Sequence, residues 1–313
     1  MTQFTKDSVV CFLGDSITQN GTWIRRIYDY YRLEQEIPCR IFNCGVSGDQ
    51  ASKGRFRLYD TVFCYNPTHV VIAFGMNDSG YTTYKEEPLS DTAVMDRRRK
   101  LDTSIAFQRA IATQCINRGI QVIFCTPTLT DELSEAPTII YHGAAAALLE
   151  LSLRIRALAR ELDADCIDFS FPFRDIQLKL YKCGQTLVGG DRVHPLPEGH
   201  EFMARLFLRG QGFDVTLPET FEELHALTQI PHDEWENRRY QLETDAMSNM
   251  YVEWCAGFGA KTKDAMAAMI EDQFAGEDHL HVRQRLESYM ANRDLIPVRR
   301  QALIEHTNTV GKE

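Results

Sequence analysis

A serine follows a strand-length apolar run near the N-terminus. Residues 9–13 are apolar, and Gly14, Asp15 and Ser16 come directly after them. A short apolar run bounded by turn residues is typical of a buried parallel strand, and open α/β sheets bind ligands beyond the carboxyl ends of such strands. A serine hydroxyl at that place can act as a nucleophile if an imidazole takes its proton. The alternative is an ordinary turn, since Gly, Asp and Ser all favour turns.

Three further segments contain polar residues that could work with this serine. The segment 43–49 follows a second apolar run, Asn77 follows a third, and Asp191 and His194 lie near the end of the alternating strand and helix pattern. On a tight turn, a carboxylate three residues before a histidine can accept a hydrogen bond from one ring nitrogen. The other nitrogen then faces the serine. An isolated Asp-x-x-His pair would be uninformative, but the ordered set of segments is specific.

Together these segments resemble the four sequence blocks of the SGNH (GDSL) hydrolases, which supply a Ser, a Gly, an Asn and a His in this order. The resemblance covers roughly residues 8 to 210. It implies a serine esterase that needs no cofactor. Ser16 would be the nucleophile, His194 the base and Asp191 the acid of a catalytic triad. Asp15 is an alternative acid, but we expect it to hold the turn through backbone hydrogen bonds.

The same resemblance implies three donors for the oxyanion that forms during ester hydrolysis. They are the backbone N–H groups of Ser16 and Gly48 and the side-chain amide of Asn77. Gly45 is a second candidate for the glycine. We prefer Gly48 because it precedes Asp49 directly, as in the family's loop. Asn77 could instead be a simple turn residue.

The pattern of apolar runs predicts an α/β fold. Five predicted strands alternate with helices, which indicates a flavodoxin-like, doubly wound parallel sheet in a three-layer α/β/α arrangement with order 2-1-3-4-5. The first and third strands are neighbours in that order, which would bring Ser16 and Asn77 together. The predicted strands are 8–13, 40–42, 69–74, 121–125 and 165–169. We predict helices at 23–34, 50–63, 95–117, 144–162 and 198–208, with a solvated polar face on the second and a loose stretch at 172–190.

Three other sites are conceivable but weaker. The segment 45–49 nearly matches the nucleophile elbow of α/β-hydrolases, with Asp49 where the final glycine should be and Ser47 as its serine. His194 and His200 lack the thiols or carboxylates that would complete a metal site, so we expect no metal and a core or capping role for His200. Neither glycine loop matches the dinucleotide fingerprint.

Composition restricts the partners of the chain. Its 313 residues carry a net charge of −10, which argues against nucleic acid or an anionic membrane as the main partner. Residues 1–7 do not resemble a secretory signal, and no run reaches the ~18 apolar residues of a membrane span. The nine cysteines form no closely spaced pair. We therefore expect a cytoplasmic protein with free, mostly buried thiols.

The chain divides into two regions on its sequence pattern. Residues 1–214 form the predicted hydrolase domain, and 215–313 form a helical C-terminal extension without strand-like runs. Apolar residues of the extension recur at steps of three and four, from Phe221 and Leu224 to Trp235, Trp254 and Phe258. Such helices must bury a face. The surface they cover could be their own chain, a second copy or the mouth of the site, and we predict a homo-oligomer contact.

The sequence therefore predicts an enzyme that hydrolyses short acyl esters, most simply acetyl esters of carbohydrates. Polar, tyrosine-bearing loops near the predicted site suit a small hydrophilic ester better than a lipid. Thioesters and lysophospholipids remain open, because the catalytic blocks do not encode the leaving group. A non-catalytic carbohydrate-binding or scaffolding protein on the same fold is the alternative from a different class.

Overall fold

The computed structural model describes residues 3–84, 90–135, 138–232 and position 268 of the chain. Five parallel strands form one sheet in the order β2-β1-β3-β4-β5, which confirms the predicted doubly wound topology. The strands are β1 (Val9–Gly14), β2 (Arg40–Gly45), β3 (His69–Ala73), β4 (Gln121–Cys125) and β5 (Asp165–Ile167). The helices are α1 (Ser16–Asn20), α2 (Thr22–Asp29), α3 (Ala51–Phe56), α4 (Leu58–Thr61), α5 (Asp91–Ile116), α6 (Ala144–Glu161), α7 (Ser170–Tyr181), α8 (Pro197–Gly210) and α9 (Phe221–Thr228).

Strand register places three loops together at one edge of the sheet. Gly14, the last residue of β1, pairs with Gly45 of β2 and with Ala73 of β3. These three strands therefore end side by side, and the segments that follow them begin next to one another. The serine, glycine and asparagine of the predicted site lie on these three segments.

Side chains that alternate along β1 contribute to a core on each face of the sheet. Val10 and Phe12 of β1 pack with Trp23 of α2 and Phe207 of α8 on one face. Leu13, with Cys11, packs on the other face in a cluster formed largely by β2, β3, α5 and α6. Both faces are covered, as expected for a parallel sheet whose strands are continuously apolar.

Two predicted elements differ from the structure. Residues 172–190 were expected to be loose, but α7 occupies Ser170–Tyr181 and buries Phe173, Ile176 and Leu180 at helical spacing. Pro172 lies in the first turn of this helix, where a missing N–H costs little. The helix predicted over 50–63 is divided into α3, α4 and a short 3-10 turn at Phe63–Tyr65.

The first part of the predicted extension packs on the hydrolase domain. Leu224 of α9 is fully buried in the same core cluster as Phe207, and Arg26 of α2 donates hydrogen bonds to the carbonyls of Thr228 and Ile230. Residues 233–313, including Trp235, Trp254 and Phe258, lie outside the described part except for position 268. Within the described ranges, no helix is long and apolar enough to cross a membrane.

Candidate active site

The turn after β1 positions Ser16 at the start of α1. The Asp15 carboxylate accepts a hydrogen bond from the Ile17 N–H at 3.0 Å and caps this helix, so its expected role in holding the turn is confirmed. A Cβ added at Gly14 would lie 2.6 Å from the Ala73 carbonyl oxygen and 2.1 Å from Thr18 Oγ1. Only glycine lets β1, β3 and α1 approach this closely. The half-buried Ser16 side chain therefore has a well-defined position.

Ser16, His194 and Asp191 form one line of hydrogen bonds across 178 residues of sequence. The distance from Ser16 Oγ to His194 Nε2 is 2.7 Å. The distance from His194 Nδ1 to Asp191 Oδ2 is 2.5 Å. Because a carboxylate only accepts, Nδ1 must donate to it, which leaves Nε2 of a neutral imidazole as the acceptor for the Ser16 hydroxyl. The structure thus brings together the three residues that the sequence suggested.

The segment that contains Asp191 and His194 is a tight turn closed by an antiparallel bridge between Val188 and Pro195. Asp191 Oδ1 accepts hydrogen bonds from the N–H groups of Val193 and His194, both at 3.0 Å. Burial acts to raise the pKa of Asp191, but the hydrogen bonds from His194 and Val193 outweigh it and hold that pKa below its usual value. Asp191 is therefore a carboxylate that faces the imidazole.

Gly48 and Asn77 lie on the loops that follow β2 and β3. Gly48 has a left-handed backbone with φ of 75°, and no acceptor for its N–H occurs among the described residues. The Asn77 amide donates one hydrogen to the Asp49 carbonyl at 2.9 Å. An amide nitrogen carries two hydrogens, so the second remains for another acceptor. The first turn of α1 likewise leaves the Ser16 N–H without an intrahelical partner.

Gly45, the other candidate for the glycine, has its N–H occupied. That N–H donates to Asn43 Oδ1 at 2.9 Å. A Cβ added at Gly45 would lie 2.2 Å from the backbone nitrogen of Gln19. Gly45 therefore lets β2 pack against α1, and this packing explains the residue without a role in chemistry.

Three buried aspartates, Asp15, Asp49 and Asp78, lie behind these loops, and a buried arginine, Arg57, pairs with one of them. Arg57 Nε lies 2.7 Å from Asp49 Oδ2, and Arg57 also donates to the Gly14 carbonyl at 3.1 Å. The polar face of the helix predicted at 50–63 was expected to be solvated, but Arg57 is only 4% exposed. The prediction was wrong at this residue because its partner lies eight residues away, outside the helical spacing that a sequence pattern shows.

Burial changes the acidity of the other two carboxyls. It raises the pKa of Asp15 to about 7, with a further increase from Asp78 and Asp49, while the Ile17 N–H acts against it. Burial also raises the pKa of Asp78 to about 6, although this carboxylate accepts from the Ala51 N–H at the start of α3. The pKa values of Asp15 and Asp78, both behind the turn that contains Ser16, are thus raised toward neutral pH.

His200 is a core residue of α8, as the sequence suggested. It is 3% exposed, and burial, with a smaller effect of His194, lowers its pKa to about 3. Among the residues that the structure describes, no three His, Cys, Asp or Glu side chains are arranged to hold a metal ion.

Sequence reasoning missed two residues beside the site. Arg192, inside the turn of Asp191 and His194, has φ of 67° and is 1% exposed. Tyr141, before α6, makes an edge-to-face contact with Tyr81, with ring centroids 5.0 Å apart. Tyr81 belongs to one of the tyrosine-bearing loops that were expected near the site. Neither a backbone angle nor a contact between distant loops leaves a signal in a single sequence.

Comparisons with known proteins agree with this geometry. The GDSL-like lipase/acylhydrolase family matches residues 12–202. The chain is 26% identical over 184 residues to an acetylxylan esterase of Geobacillus stearothermophilus, which covers 57% of this chain and 75% of that protein.

Solved structures share the fold. The acetyl xylan esterase AlAXEase is 25% identical, with a TM-score of 0.51 over 64% of this chain and 98% of its own. BT4096, a gut microbial diltiazem-metabolizing enzyme, has a TM-score of 0.78 at 18% identity over 100% of this chain and 97% of its own, and this likeness concerns the fold alone. The family match spans more than half of the chain and contains the Ser16, Asn77 and His194 segments, and the chain therefore belongs to the GDSL-like lipase/acylhydrolase family.

Proposed function

We propose that this protein is a serine esterase that hydrolyses short acyl esters, in particular acetyl esters of carbohydrates, through an acyl-Ser16 intermediate. The observation that supports this most directly is the hydrogen-bonded line from Ser16 Oγ through His194 to Asp191, at 2.7 Å and 2.5 Å. A hydroxyl held against the acceptor nitrogen of an imidazole is the arrangement that makes serine nucleophilic.

The first half of the reaction forms the acyl-enzyme. His194 Nε2 takes the proton of the Ser16 hydroxyl while Oγ bonds to the acyl carbon, and Asp191 stabilises the imidazolium. His194 then returns the proton to the leaving alcohol as its bond to the acyl carbon breaks. In the second half, a water gives its proton to His194, its oxygen attacks the acyl carbon, and the proton returns to Ser16 Oγ as the acid leaves.

The negative oxygen of each tetrahedral intermediate would receive hydrogen bonds from Ser16 N–H, Gly48 N–H and the free amide hydrogen of Asn77. Gly48 suits this role because its N–H meets no acceptor among the described residues, whereas Gly45 N–H is held by Asn43. Each such donor is worth roughly 3–4 kcal/mol in other hydrolases.

Two observations favour a small acyl group on a sugar. The relatives at 26% and 25% identity are acetylxylan esterases by name, and Tyr81, four residues after Asn77, pairs with Tyr141 of the loop after β4. All eight cysteines of the described ranges are free, in keeping with the reducing cytoplasm that we propose as its location.

Labelling by a fluorophosphonate tests the activated serine directly. We expect the probe to label the wild-type chain and Ser47→Ala but not Ser16→Ala, with all three proteins folded. Labelling of Ser16→Ala would mean that another residue is the nucleophile. A wild-type chain that stays unlabelled would favour a non-catalytic binding protein on the same fold.

A substrate series tests the acyl and alcohol groups. Acetylated xylooligosaccharides and acetylated monosaccharides should be hydrolysed with higher kcat/KM than esters of the same sugars with longer acyl chains. Preference for a lysophospholipid or an acyl thioester would contradict the carbohydrate assignment while leaving the serine mechanism in place.

A further inference from the structure

Arg192 combines full burial with a left-handed backbone conformation, which is unusual for a residue in a surface turn. Its neighbours Asp191 and His194 have half-exposed side chains, at 53% and 45%, yet Arg192 is among the largest fully buried side chains. Its φ of 67° lies in the left-handed region, which disfavours any residue with a Cβ. A buried cation in an unfavourable backbone conformation persists only when surrounding contacts hold it there.

Those contacts join the turn that contains Asp191 and His194, here named the catalytic turn, to the loop after β4. That loop is defined here as residues 126–135 and 138–143 and named the β4 loop. Arg192 Nη1 donates to the Asp131 carbonyl at 3.1 Å, and Nε donates to the Thr138 carbonyl at 3.3 Å. In return, Asp131 N–H donates to the Arg192 carbonyl at 2.9 Å. Thr138 Oγ1 adds a fourth bond, to the Gly190 carbonyl at 2.6 Å.

The β4 loop transmits this anchoring to an aromatic pair. Glu132 accepts hydrogen bonds from the N–H groups of Gly143 and Ala145 at 3.1 Å and 2.7 Å. Tyr141 lies within the span that these bonds close, and its ring contacts that of Tyr81. Tyr81 lies four residues after Asn77, on the segment that follows β3, so the aromatic pair joins the β4 loop to the segment that carries Asn77. Burial raises the pKa of Tyr81, and Tyr141, Asp191 and Asp15 raise it further.

The chemistry of the proposed reaction assigns this side of the site to the alcohol. His194 must protonate the leaving oxygen, so the alcohol lies on the His194 side of the acyl carbon, while the carbonyl oxygen lies toward Gly48 and Asn77. The β4 loop is bonded to Gly190 and Arg192, within four residues of His194. It therefore borders the space that the leaving alcohol occupies.

Resting on the proposed esterase function, we propose that Arg192 is a positioning residue that holds the β4 loop and the Tyr81–Tyr141 pair against the alcohol side of the site. The aromatic pair presents an apolar edge and two hydroxyls, which suits a sugar ring with its C–H face and its hydroxyl groups. Arg192 thus acts on the affinity for a carbohydrate alcohol, apart from the chemistry of the acyl group.

The test compares Arg192→Gly with Asp163→Gly in the full chain. Glycine accepts the left-handed conformation, so Arg192→Gly removes the guanidinium without adding backbone strain. Asp163 is a matched control: it is exposed, has φ of 51°, and lies in the turn before β5 at the other end of the sheet. Thr138→Val is a second variant that breaks only the hydrogen bond to Gly190.

Two substrates with the same acyl group separate an effect of Arg192 on the alcohol from an effect on the acyl-transfer chemistry. For an acetylated xylooligosaccharide, Arg192→Gly should lower kcat/KM by about tenfold or more, mainly through KM, while phenyl acetate should lose less than about threefold. Thr138→Val should change the sugar acetate in the same direction by a smaller factor, and Asp163→Gly should change neither. An equal loss on both acetates would overturn the proposal, because Arg192 would then act on the His194 geometry alone.

Hydrogen exchange gives a readout that needs no substrate. Arg192→Gly should increase exchange of the amides of residues 131–143, with the amides of β1 and β3 unchanged, and Asp163→Gly should not. Unchanged exchange in the β4 loop would overturn the anchoring itself. A wild-type enzyme that hydrolyses phenyl acetate but no sugar acetate would overturn the proposed substrate class, and the exchange result would still decide the role of Arg192.

Discussion

At the scale of residues, the proposed mechanism places proton transfer and charge stabilisation on different segments of the chain. His194 and Asp191 lie on one turn after β5, whereas Gly48 and Asn77 lie on the loops after β2 and β3. Ser16 is at the centre because β1 lies between β2 and β3.

Asn77 provides the first prediction at this scale. Asn77→Ala should lower kcat about 10²–10³-fold with little change in KM, because the amide hydrogen stabilises charge that develops only in the transition state. Steady-state kinetics on an acetyl ester measures both parameters. Gln50→Ala is the control, since Gln50 only joins the two loops through the Asn77 carbonyl at 3.1 Å. A comparable loss in Gln50→Ala would mean that Asn77 acts by holding the loops.

The second prediction concerns pH. The pKa of Asp191 lies below its usual value, so this carboxylate stays ionised as the pH falls through the weakly acidic range. Activity should decrease toward acid pH along one limb, because a histidine base must be neutral to accept the Ser16 proton. Asp191→Asn should lower kcat by about 10⁴-fold through the wrong imidazole tautomer. A pH profile that is flat from about 5 to 9 would contradict a histidine base.

At the scale of elements, α1 depends on a buried cap. Asp15 satisfies the Ile17 N–H at 3.0 Å, but its carboxyl is 2% exposed and lies near Asp49 and Asp78. Capping by an aspartate normally stabilises a helix. In this protein the carboxyl that caps the helix is also buried, so its ionised form carries the free-energy cost of a buried charge.

This combination predicts an inverted pH dependence of stability. The folded-state pKa of Asp15, about 7, exceeds the usual 3.8, so the native state binds the proton more tightly than the unfolded chain. The stabilisation from the protonated carboxyl is complete below about pH 4 and is lost as the pH rises through about 7. Asp15→Asn keeps the oxygen acceptor and cannot ionise. Relative to wild type, its free energy of unfolding should rise from pH 4 to 7 and then level, by at most about 4 kcal/mol at about 1.4 kcal/mol per pKa unit.

Denaturant unfolding at several pH values measures this difference. The exposed Asp163→Asn serves as the control for removal of an aspartate from the surface, and its difference from wild type should stay nearly constant. A difference for Asp15→Asn that is equally independent of pH would show that Asp15 titrates as an ordinary carboxyl.

At the scale of the whole molecule, the sheet has a core on each face, and the first part of the C-terminal extension adds Leu224 to one of them. Up to residue 232 the extension packs on its own chain: Leu224 is fully buried, and His225 contacts the Glu198 carboxylate at 2.8 Å. This packing on the same chain was one of the alternatives for the extension. The oligomer contact stays a prediction for the residues beyond 232.

Light scattering tests that prediction. The full chain should scatter as a homo-oligomer at micromolar concentration and dissociate on dilution, because methionine- and aromatic-rich surfaces are common at interfaces. A mass that equals one chain at all concentrations would contradict it. If the chain is an oligomer, covalent labelling of surface residues before and after dilution shows whether residues 215–313 become more exposed on dissociation.

The sequence by itself predicted the apolar strands, the turn that contains Ser16 and the four segments that resemble the family's sequence blocks. It could do so because these features are local: an apolar run of β-strand length, a glycine-acid-serine turn, and an acid three residues before a histidine. The helix α7 was missed although Phe173, Ile176 and Leu180 have helical spacing.

Only the tertiary structure decided which distant groups meet. The pairing of Arg57 with Asp49, the close approach of Gly45 to Gln19 and the bonds from Arg192 to the β4 loop join residues whose spacing in the sequence gives no signal. The raised pKa of Asp15 has the same origin, since it comes from burial beneath three loops and from Asp78 and Asp49. Burial and charge are summed over neighbours in space, and a single sequence specifies those neighbours only through the completed fold.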